Sequence, residues 1–384
     1  FSYDKHCHTY SITNFIKEME PNLVQQLINA SEKAANIARV CRSNEALLKL
    51  LVQEKTGPEA NARFEHDFKT LADVLIQETI KHDIGALFPA MREAINGEES
   101  PNFTNADGES VTIAVGETAE ETAQCLATII NAEAAEVLAN EVHRDVVYEE
   151  ALLGEIPTLP EDLDYSNLGI WIDPIDGTAE YISGDSIFTD FPGITSTGLD
   201  CVTVLVGVYE RTTGTPVIGV VSQPFHNKLD ENVYRSLVFW GVCLPDLQAN
   251  NCQFERPARD NRLGIFSSSE NGDILQHIME LGYEFAFAAG AGHKALKVIT
   301  WEVDLYLLSK GSTFKWDTCA PQAILRSLGG DIYSYRGSIS ECKPIPLSYS
   351  EVNDEVDNPK CNKDGLIAVR DAGLLDELLQ KLTV

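Results

Sequence analysis

No stretch of this 384-residue chain stays apolar for longer than a β-strand. The longest such runs lie near Val202 to Val208, far short of the roughly 20 residues needed to span a bilayer, so no segment is read as crossing a membrane. Basic residues are scarce as well, 29 Lys and Arg against 59 Asp and Glu, for a formal net charge of −30. Such a surface repels nucleic acid and anionic membranes, and a polyanionic ligand could approach only where cations reverse the local sign. The nine cysteines (Cys7, Cys41, Cys125, Cys201, Cys243, Cys252, Cys319, Cys342, Cys361) are odd in number and include no C-x-x-C pair. That argues against a disulfide framework and a zinc ribbon, and for a reducing, cytoplasmic setting. Internal repeats and low-complexity segments are absent. The chain opens with Phe1 and lacks the basic-then-apolar layout of a signal peptide, so residues 1–21 are read as a flexible N-terminal extension. His6, Cys7 and His8 within it are adjacent on a tail, a poor arrangement for converging on one ion.

What is present begins with helical periodicity. Leu23, Leu27, Ala34, Ile37, Ala38, Cys41, Leu48 and Leu51 predict one long amphipathic helix or two, stopped by the Lys55-Thr-Gly-Pro58 cluster. A further helix is expected over Phe64 to Ile80, with Asp73 on a face shared with Lys69, Thr70 and Gln77. Asn96 to Ser100, "NGEES", reads as a loop or strand edge, and Glu117 to Arg144 as an acidic helical region. Leu168 to Ile172 and Cys201 to Tyr209 are strand-like, and "ERTTGTPV" before "VIGVVSQP" reads as a hairpin turn. From Leu263 onward strands and helices alternate, with one helix from His293 and a last one ending at Gly329 or Gly330, where a left-handed cap is wanted. The order predicts an α+β half over residues 22–250 and an α/β half over 251–384, packed as a single unit.

The chemistry concentrates in "GIWIDPIDGTAEYISG", Gly169 to Gly184. Pro174 cannot continue a strand as a ladder donor, so the backbone is expected to turn after Asp173 and bring Asp176 back to the same end of the sheet. Two carboxylates on a rigid turn, with the Ile175 carbonyl between them, form a hard-oxygen site suited to magnesium. An ordinary Asp-Pro turn with Asp176 capping the helix that Thr178 enters is the plainer alternative. Asp73, Glu98, Glu99 and Asp317 extend the pattern to D…EE…DPIDGT…WD, although each has a bland reading as a surface acid or helix cap. Gly290-Ala291-Gly292 would let backbone approach a ligand closely, and the helix beyond, with Lys294, offers free N–H groups to a phosphate; a tight strand-to-helix turn explains those glycines equally well.

The blocks "SEKAANIAR", "FKTLADVLIQE", "NGEES", "GIWIDPIDGTAEYI", "AAGAGHK" and "TFKWDTCA" resemble the lithium-sensitive, magnesium-dependent phosphomonoesterase superfamily that includes inositol monophosphatase and fructose 1,6-bisphosphatase. Within it they are most similar to the branch that acts on the 1-phosphate of inositol polyphosphates, from about Leu27 to the C-terminus. The resemblance implies a layered αβαβα sandwich and two or three Mg2+ ions. One ion would be held by Glu98, Asp173 and the Ile175 carbonyl, a second by Asp173, Asp176 and Asp317, with Asp73 and Glu98 or Glu99 serving an outer or third cation. Thr178, hydrogen-bonded to Asp73, would orient and deprotonate the attacking water. The substrate side would fall on Asp176, Gly177, Thr178, Ser269, Asn271, Gly290, Ala291, Lys294 and Ser312. Where the resembled branch has a basic residue two past Ser269, this chain has Asn271, which implies a weaker grip on a second phosphate or a different cation.

The expected function is a cytoplasmic, monomeric hydrolase that removes the 1-phosphate of inositol 1,4-bisphosphate and inositol 1,3,4-trisphosphate and is inhibited by Li+. Its ligands would be small inositol polyphosphates, with no nucleic-acid or membrane partner. The alternatives are a 3′-phosphoadenosine 5′-phosphate phosphatase, which an aromatic platform for adenine would favour, and a non-catalytic inositol-phosphate-binding module, which would not need both Asp73 and Thr178.

Overall fold

The computed structural model describes residues 21–43, 48, 51–56, 67–148, 153–350 and 360–382. Residues 1–20 of the N-terminal extension, with His6, Cys7 and His8, lie outside them, as do Gly57 and Pro58. Helix α1 spans Leu23–Ser43 and buries the apolar positions read from its periodicity, Leu23, Leu27, Ala34, Ile37, Ala38 and Cys41. Leu48, also helical, and Leu51 are buried too, and Val52–Glu54 then forms a short strand paired antiparallel with Phe68–Thr70. Helix α2 covers Leu71–Leu87; of the expected Phe64 to Ile80, residues 64–66 lie outside the described residues and Phe68–Thr70 is strand. Thr70 is extended (φ −115, ψ 165) and caps α2 by accepting from Asp73 N–H, while Asp73 accepts from Thr70 N–H, so this capping box starts the helix later than periodicity alone predicts. Helices α3 (Ala119–Leu126) and α4 (Ala132–His143) fill the acidic region.

A six-stranded sheet follows. Its strands are β1 (Ile95–Gly97), β2 (Leu168–Asp176), β3 (Thr203–Glu210), β4 (Pro216–Asp230), β5 (Val233–Leu244) and β6 (Leu247–Asn250), ordered β6-β5-β4-β3-β2-β1. All neighbours are antiparallel except β1 and β2. β2 is buried along its whole length, and it extends through Asp176 rather than ending at Asp173. Helix α5 (Thr178–Ser183) leaves its end. The second sheet is mixed, ordered β8-β7-β9-β11-β10 from β7 (Arg262–Phe266), β8 (Tyr283–Phe287), β9 (Leu305–Leu308), β10 (Asp331–Ser334) and β11 (Leu366–Val369). Helices α6 (Gly272–Glu280), α7 (Ala291–Ile299), α8 (Lys315–Ser327), α9 (Tyr335–Glu341) and α10 (Ala372–Leu382) accompany it. α7 begins two residues before the expected His293, with Gly290 as its N-cap. Gly329 after α8 is left-handed (φ 87), as the cap position demands.

The layers follow from strand alternation. Tyr306, Leu308, Ile332, Leu366 and Ala368 face inward, sharing a core with Leu205, Val221 and Phe239 of the first sheet and with α7 and α8. Leu305, Leu307, Tyr333, Ile367 and Val369 face outward onto Ile278, Leu375 and Leu378 of α6 and α10. With α1 and α2 packed on the other side of the first sheet, the result is the expected αβαβα sandwich. Among the described residues no helix is long and apolar enough to cross a membrane, and no two of the eight described cysteines are joined in a disulfide.

One device fixes α8. Gly207, Gly219 and Gly241 are directly opposite one another on β3, β4 and β5. A Cβ at Gly207 would lie 2.4 Å from Ala320 N, one at Gly219 2.0 Å from Ala320 O, and one at Gly241 2.8 Å from Ile324 Cα. The glycine row is therefore a trough in which the backbone of α8 rests on the sheet. Gly219→Ala should push α8 outward and destabilise the fold by about 1–3 kcal/mol, the usual cost of overpacking. Gly272→Ala, where nothing lies within 4 Å of the new methyl, should leave the denaturant midpoint unchanged. Equal midpoints for the two variants would mean that the trough is not tight.

Candidate active site

Three carboxylates borne on β2 and α8 meet at the end of β2. Asp173 pairs with Leu205 and Asp176 with Thr203, so Pro174 and Ile175 on β2 oppose the single residue Val204 on β3. This is a β-bulge, and its cause is Pro174, which has no N–H for the ladder. The extra residue matters because positions three apart on a regular strand face opposite sides. With the bulge, one oxygen each of Asp173, Asp176 and Asp317 lie within 4.8 Å of one another. Asp317 is in the first turn of α8, where its Oδ2 accepts from Phe314 N–H at 2.6 Å. Asp176 accepts from Ala291 N–H (3.1 Å), Gly292 N–H (2.9 Å) and the Thr203 hydroxyl (3.0 Å). The sequence reading offered these α7 amides to a phosphate; the structure turns two of them to Asp176, the anion already at the helix N-terminus. Gly290 has φ 72, and a Cβ there would lie 2.7 Å from Cys201 O, which explains that glycine by close approach.

Electrostatically the cluster is under strain. Burial pushes Asp173 well above the carboxylate range, and the Glu98, Asp176 and Asp317 charges push it further. Asp317 is raised well by burial and by Asp176. Asp176 is raised by burial against the opposing effect of Lys294 and its hydrogen bonds. Asp173 Oδ1 is buried with no hydrogen-bond partner among the described residues. An orphaned buried carboxylate oxygen facing two more carboxylates is a donor set that fits a hard divalent cation such as magnesium.

A second group of acids lies beside the first. Asp73 is buried, and its Oδ2 accepts from Thr70 N–H (2.8 Å) and the Thr70 hydroxyl (2.5 Å). Burial pushes it up to about 6 against those bonds. The Thr178 hydroxyl is 3.1 Å from Ile175 O and 3.4 Å from Asp73 Oδ1, and its single proton serves one acceptor at a time. Glu98 is set beside β2 by its N–H to Ile172 O at 3.1 Å. Glu99 is held by Gln77, which accepts from its N–H at 2.9 Å and donates to its carbonyl at 2.5 Å. Burial raises the Glu99 carboxyl well above its ordinary value, the Glu98 charge adds to this, and Lys55 opposes it.

The remaining candidates lie on other elements, Lys294 in α7 and the rest in turns and helix caps. Gly177 is left-handed (φ 87) at the start of α5. Lys294 is buried, donating to Ala288 O (3.1 Å) and Gly290 O (2.7 Å), and burial lowers its pKa against the pull of Asp176. Ser269 is exposed, with its hydroxyl 3.2 Å from that of Ser267 and its carbonyl accepting from Lys310. Asn271 caps α6 by accepting from Asp273 N–H at 2.8 Å, and Ser312 donates its N–H to Lys310 O at 3.0 Å. Sequence reasoning missed Lys55, Thr70, Thr203 and the two-way Gln77 clamp. Thr70 was within reach, since Thr-x-x-Asp before an apolar run signals a helix start; Lys55 and Thr203 carried no local signal.

The profile described as the inositol monophosphatase family matches residues 77–375. Inositol polyphosphate 1-phosphatase of Mus musculus is 37% identical over 386 residues, covering 94% of this chain and 97% of that protein. The Homo sapiens protein of the same description is 38% identical over 391 residues with the same coverage. The 3′(2′),5′-bisphosphate nucleotidase 1 of Homo sapiens is 30% identical over 208 residues, covering 53% of this chain and 62% of that protein. Among solved structures, a Thermotoga maritima IMPase superposes with a TM-score of 0.50 at 15% identity, covering 93% of this chain and 94% of that one, a likeness of fold.

The raised carboxylates make a signed prediction. Because these acids keep their protons to higher pH in the fold than in the unfolded chain, the folded state binds more protons across that window. Their contribution is fully present below the ordinary carboxylate range and is lost as pH rises through the folded values, about 6 for Asp73. Without divalent ions the melting temperature should therefore fall from acidic pH toward neutrality, and Asp173→Asn should flatten that slope and raise the metal-free Tm at neutral pH. A metal-free Tm that climbs with pH over this window would contradict it.

Proposed function

The chain belongs to the inositol monophosphatase family, and from that premise we propose that it is a magnesium-dependent, lithium-inhibited phosphomonoesterase removing the 1-phosphate of inositol 1,4-bisphosphate and inositol 1,3,4-trisphosphate. The observation that carries the proposal is the convergence of Asp173, Asp176 and Asp317 around an unpartnered buried oxygen. Likeness over 94% of this chain to the Mus musculus and Homo sapiens 1-phosphatases supports the choice of substrate.

Glu98, Asp173 and the Ile175 carbonyl would hold one ion, and Asp173, Asp176 and Asp317 the other. When bound, such ions supply Lewis acidity toward the phosphoryl oxygens and make hydroxide accessible at neutral pH. The chain's own residues do the rest. Thr178 would orient the attacking water, its hydroxyl standing 3.4 Å from Asp73 Oδ1, to which its proton can be given. Asp73, a buried carboxylate facing that hydroxyl, would accept the proton. Gly177, Gly290, Ala291, Lys294, Ser269, Asn271 and Ser312 would form the wall around the inositol ring and its second phosphate. Water is the nucleophile and no covalent enzyme intermediate is involved.

Phosphate release should be fastest from inositol 1,4-bisphosphate when the chain is offered inositol bisphosphates, inositol monophosphate and 3′-phosphoadenosine 5′-phosphate with magnesium. A preference for the adenosine compound would replace this reading with that of a nucleotidase. Asp173→Asn should reduce turnover by at least roughly 10³-fold, the size of losing a key electrostatic stabiliser. Lithium should inhibit uncompetitively, lowering kcat and KM together, because substrate phosphate completes the Asp173, Asp176 and Asp317 site; strictly competitive inhibition would count against that geometry.

Thr178→Ala and Asp73→Asn should each slow the chemical step while leaving divalent-ion affinity mostly intact. Acting as one unit, they should be no worse together than the slower single variant. Fully multiplicative losses would separate their roles.

A further inference from the structure

Two of the acids expected to serve an outer or third cation with Asp73, namely Glu98 and Glu99, are already met by a positive charge of the chain's own. Lys55 follows the short strand Val52–Glu54, and its N–H donates to Asp67 O at 2.7 Å. Its side chain is 3% exposed, and Nζ lies 2.6 Å from Glu98 Oε1, 2.6 Å from Glu99 Oε1 and 3.9 Å from Asp67 Oδ1. The Glu99 side chain is also 3% exposed. Neither partner is a loose surface acid, since Gln77 clamps the Glu99 peptide from both sides and the Glu98 N–H is bonded to β2. Gly97 fits the same clamp: a Cβ there would lie 2.0 Å from Gln77 Oε1.

We propose that the Lys55 ammonium takes the place of a third divalent cation between Glu98 and Glu99, so that the chain holds two magnesium ions and Lys55 positions Glu98 for one of them. The inference rests on the two-ion reading of the Asp173, Asp176 and Asp317 site. Its steric basis is direct. Magnesium bridging the Glu98 and Glu99 oxygens would stand about 2.1 Å from each, in space already claimed by a nitrogen 2.6 Å from both. The two cations would also repel, in a place where screening by water is weak. A tethered ammonium differs from an ion in kind: it is present at every magnesium concentration and cannot dissociate. It contacts Glu98 through Oε1 alone.

The test is ion stoichiometry on the full chain, measured by manganese titration with electron paramagnetic resonance and calorimetry in the presence of inorganic phosphate. Wild type should bind two ions per chain and Lys55→Met three, with Lys55→Met/Glu99→Gln returning to two. Three ions on wild type would overturn the proposal while leaving the two-ion centre standing. Two ions on a folded Lys55→Met variant would also overturn it. Wild type with no bound ion would remove the functional reading as well. If Lys55→Met does not fold, the wild-type count still decides.

Discussion

Like charges brought together without water are the constraint around which this protein is arranged. One oxygen each of Asp173, Asp176 and Asp317 lie within 4.8 Å of one another, and burial and mutual repulsion favour keeping their protons when no cation is present. A flexible scaffold would relax by letting the carboxylates swing apart. This one cannot, because each is held by a rigid element: Asp173 and Asp176 by a bulged central strand, Asp317 by a helix seated in a glycine trough. The repulsion is therefore stored in the fold and becomes affinity for whatever cation enters.

Rigidity of this kind has to be built across the two sheets. Asp176, from the first sheet, is the anion at the N-terminus of α7, between the sheets, so one carboxylate joins the halves and faces the site at once. α8 does the same in the other direction, resting on β3, β4 and β5 while packing against β10 of the second sheet. Displacing either helix by a fraction of an ångström would move a carboxylate by the same amount, and the chemistry of the site tolerates little misplacement.

The surrounding acids are treated differently from the central three. Asp73 accepts two hydrogen bonds from Thr70, and Glu98 and Glu99 are paired with the Lys55 ammonium, whereas Asp173 Oδ1 has neither a hydrogen bond nor a cation among the described residues. A chain with a net charge of −30 thus concentrates unbalanced negative charge at one buried point. Cations gathered there would invert the local sign at short range, which is how so acidic a protein can receive a phosphate.

Much of this was legible along the chain because it depends on local rules. Helical periodicity located α1, the Glu210 to Pro216 turn announced the β3–β4 hairpin, and the left-handed Gly329 marked the end of α8. The acids in D…EE…DPIDGT…WD were readable as a set because their types and order are a property of the sequence. The start of α2 was misplaced, since a capping hydrogen bond overruled periodicity; the end of β2 was misplaced, since a proline can be absorbed as a bulge inside a strand instead of terminating it. What only the tertiary structure decided is which acids share space and which are neutralised. Lys55 lies 43 positions from Glu98, and the α7 amides that bond Asp176 lie more than a hundred positions away from it. Electrostatic partnership depends on distance through space, which chain packing sets and sequence spacing does not.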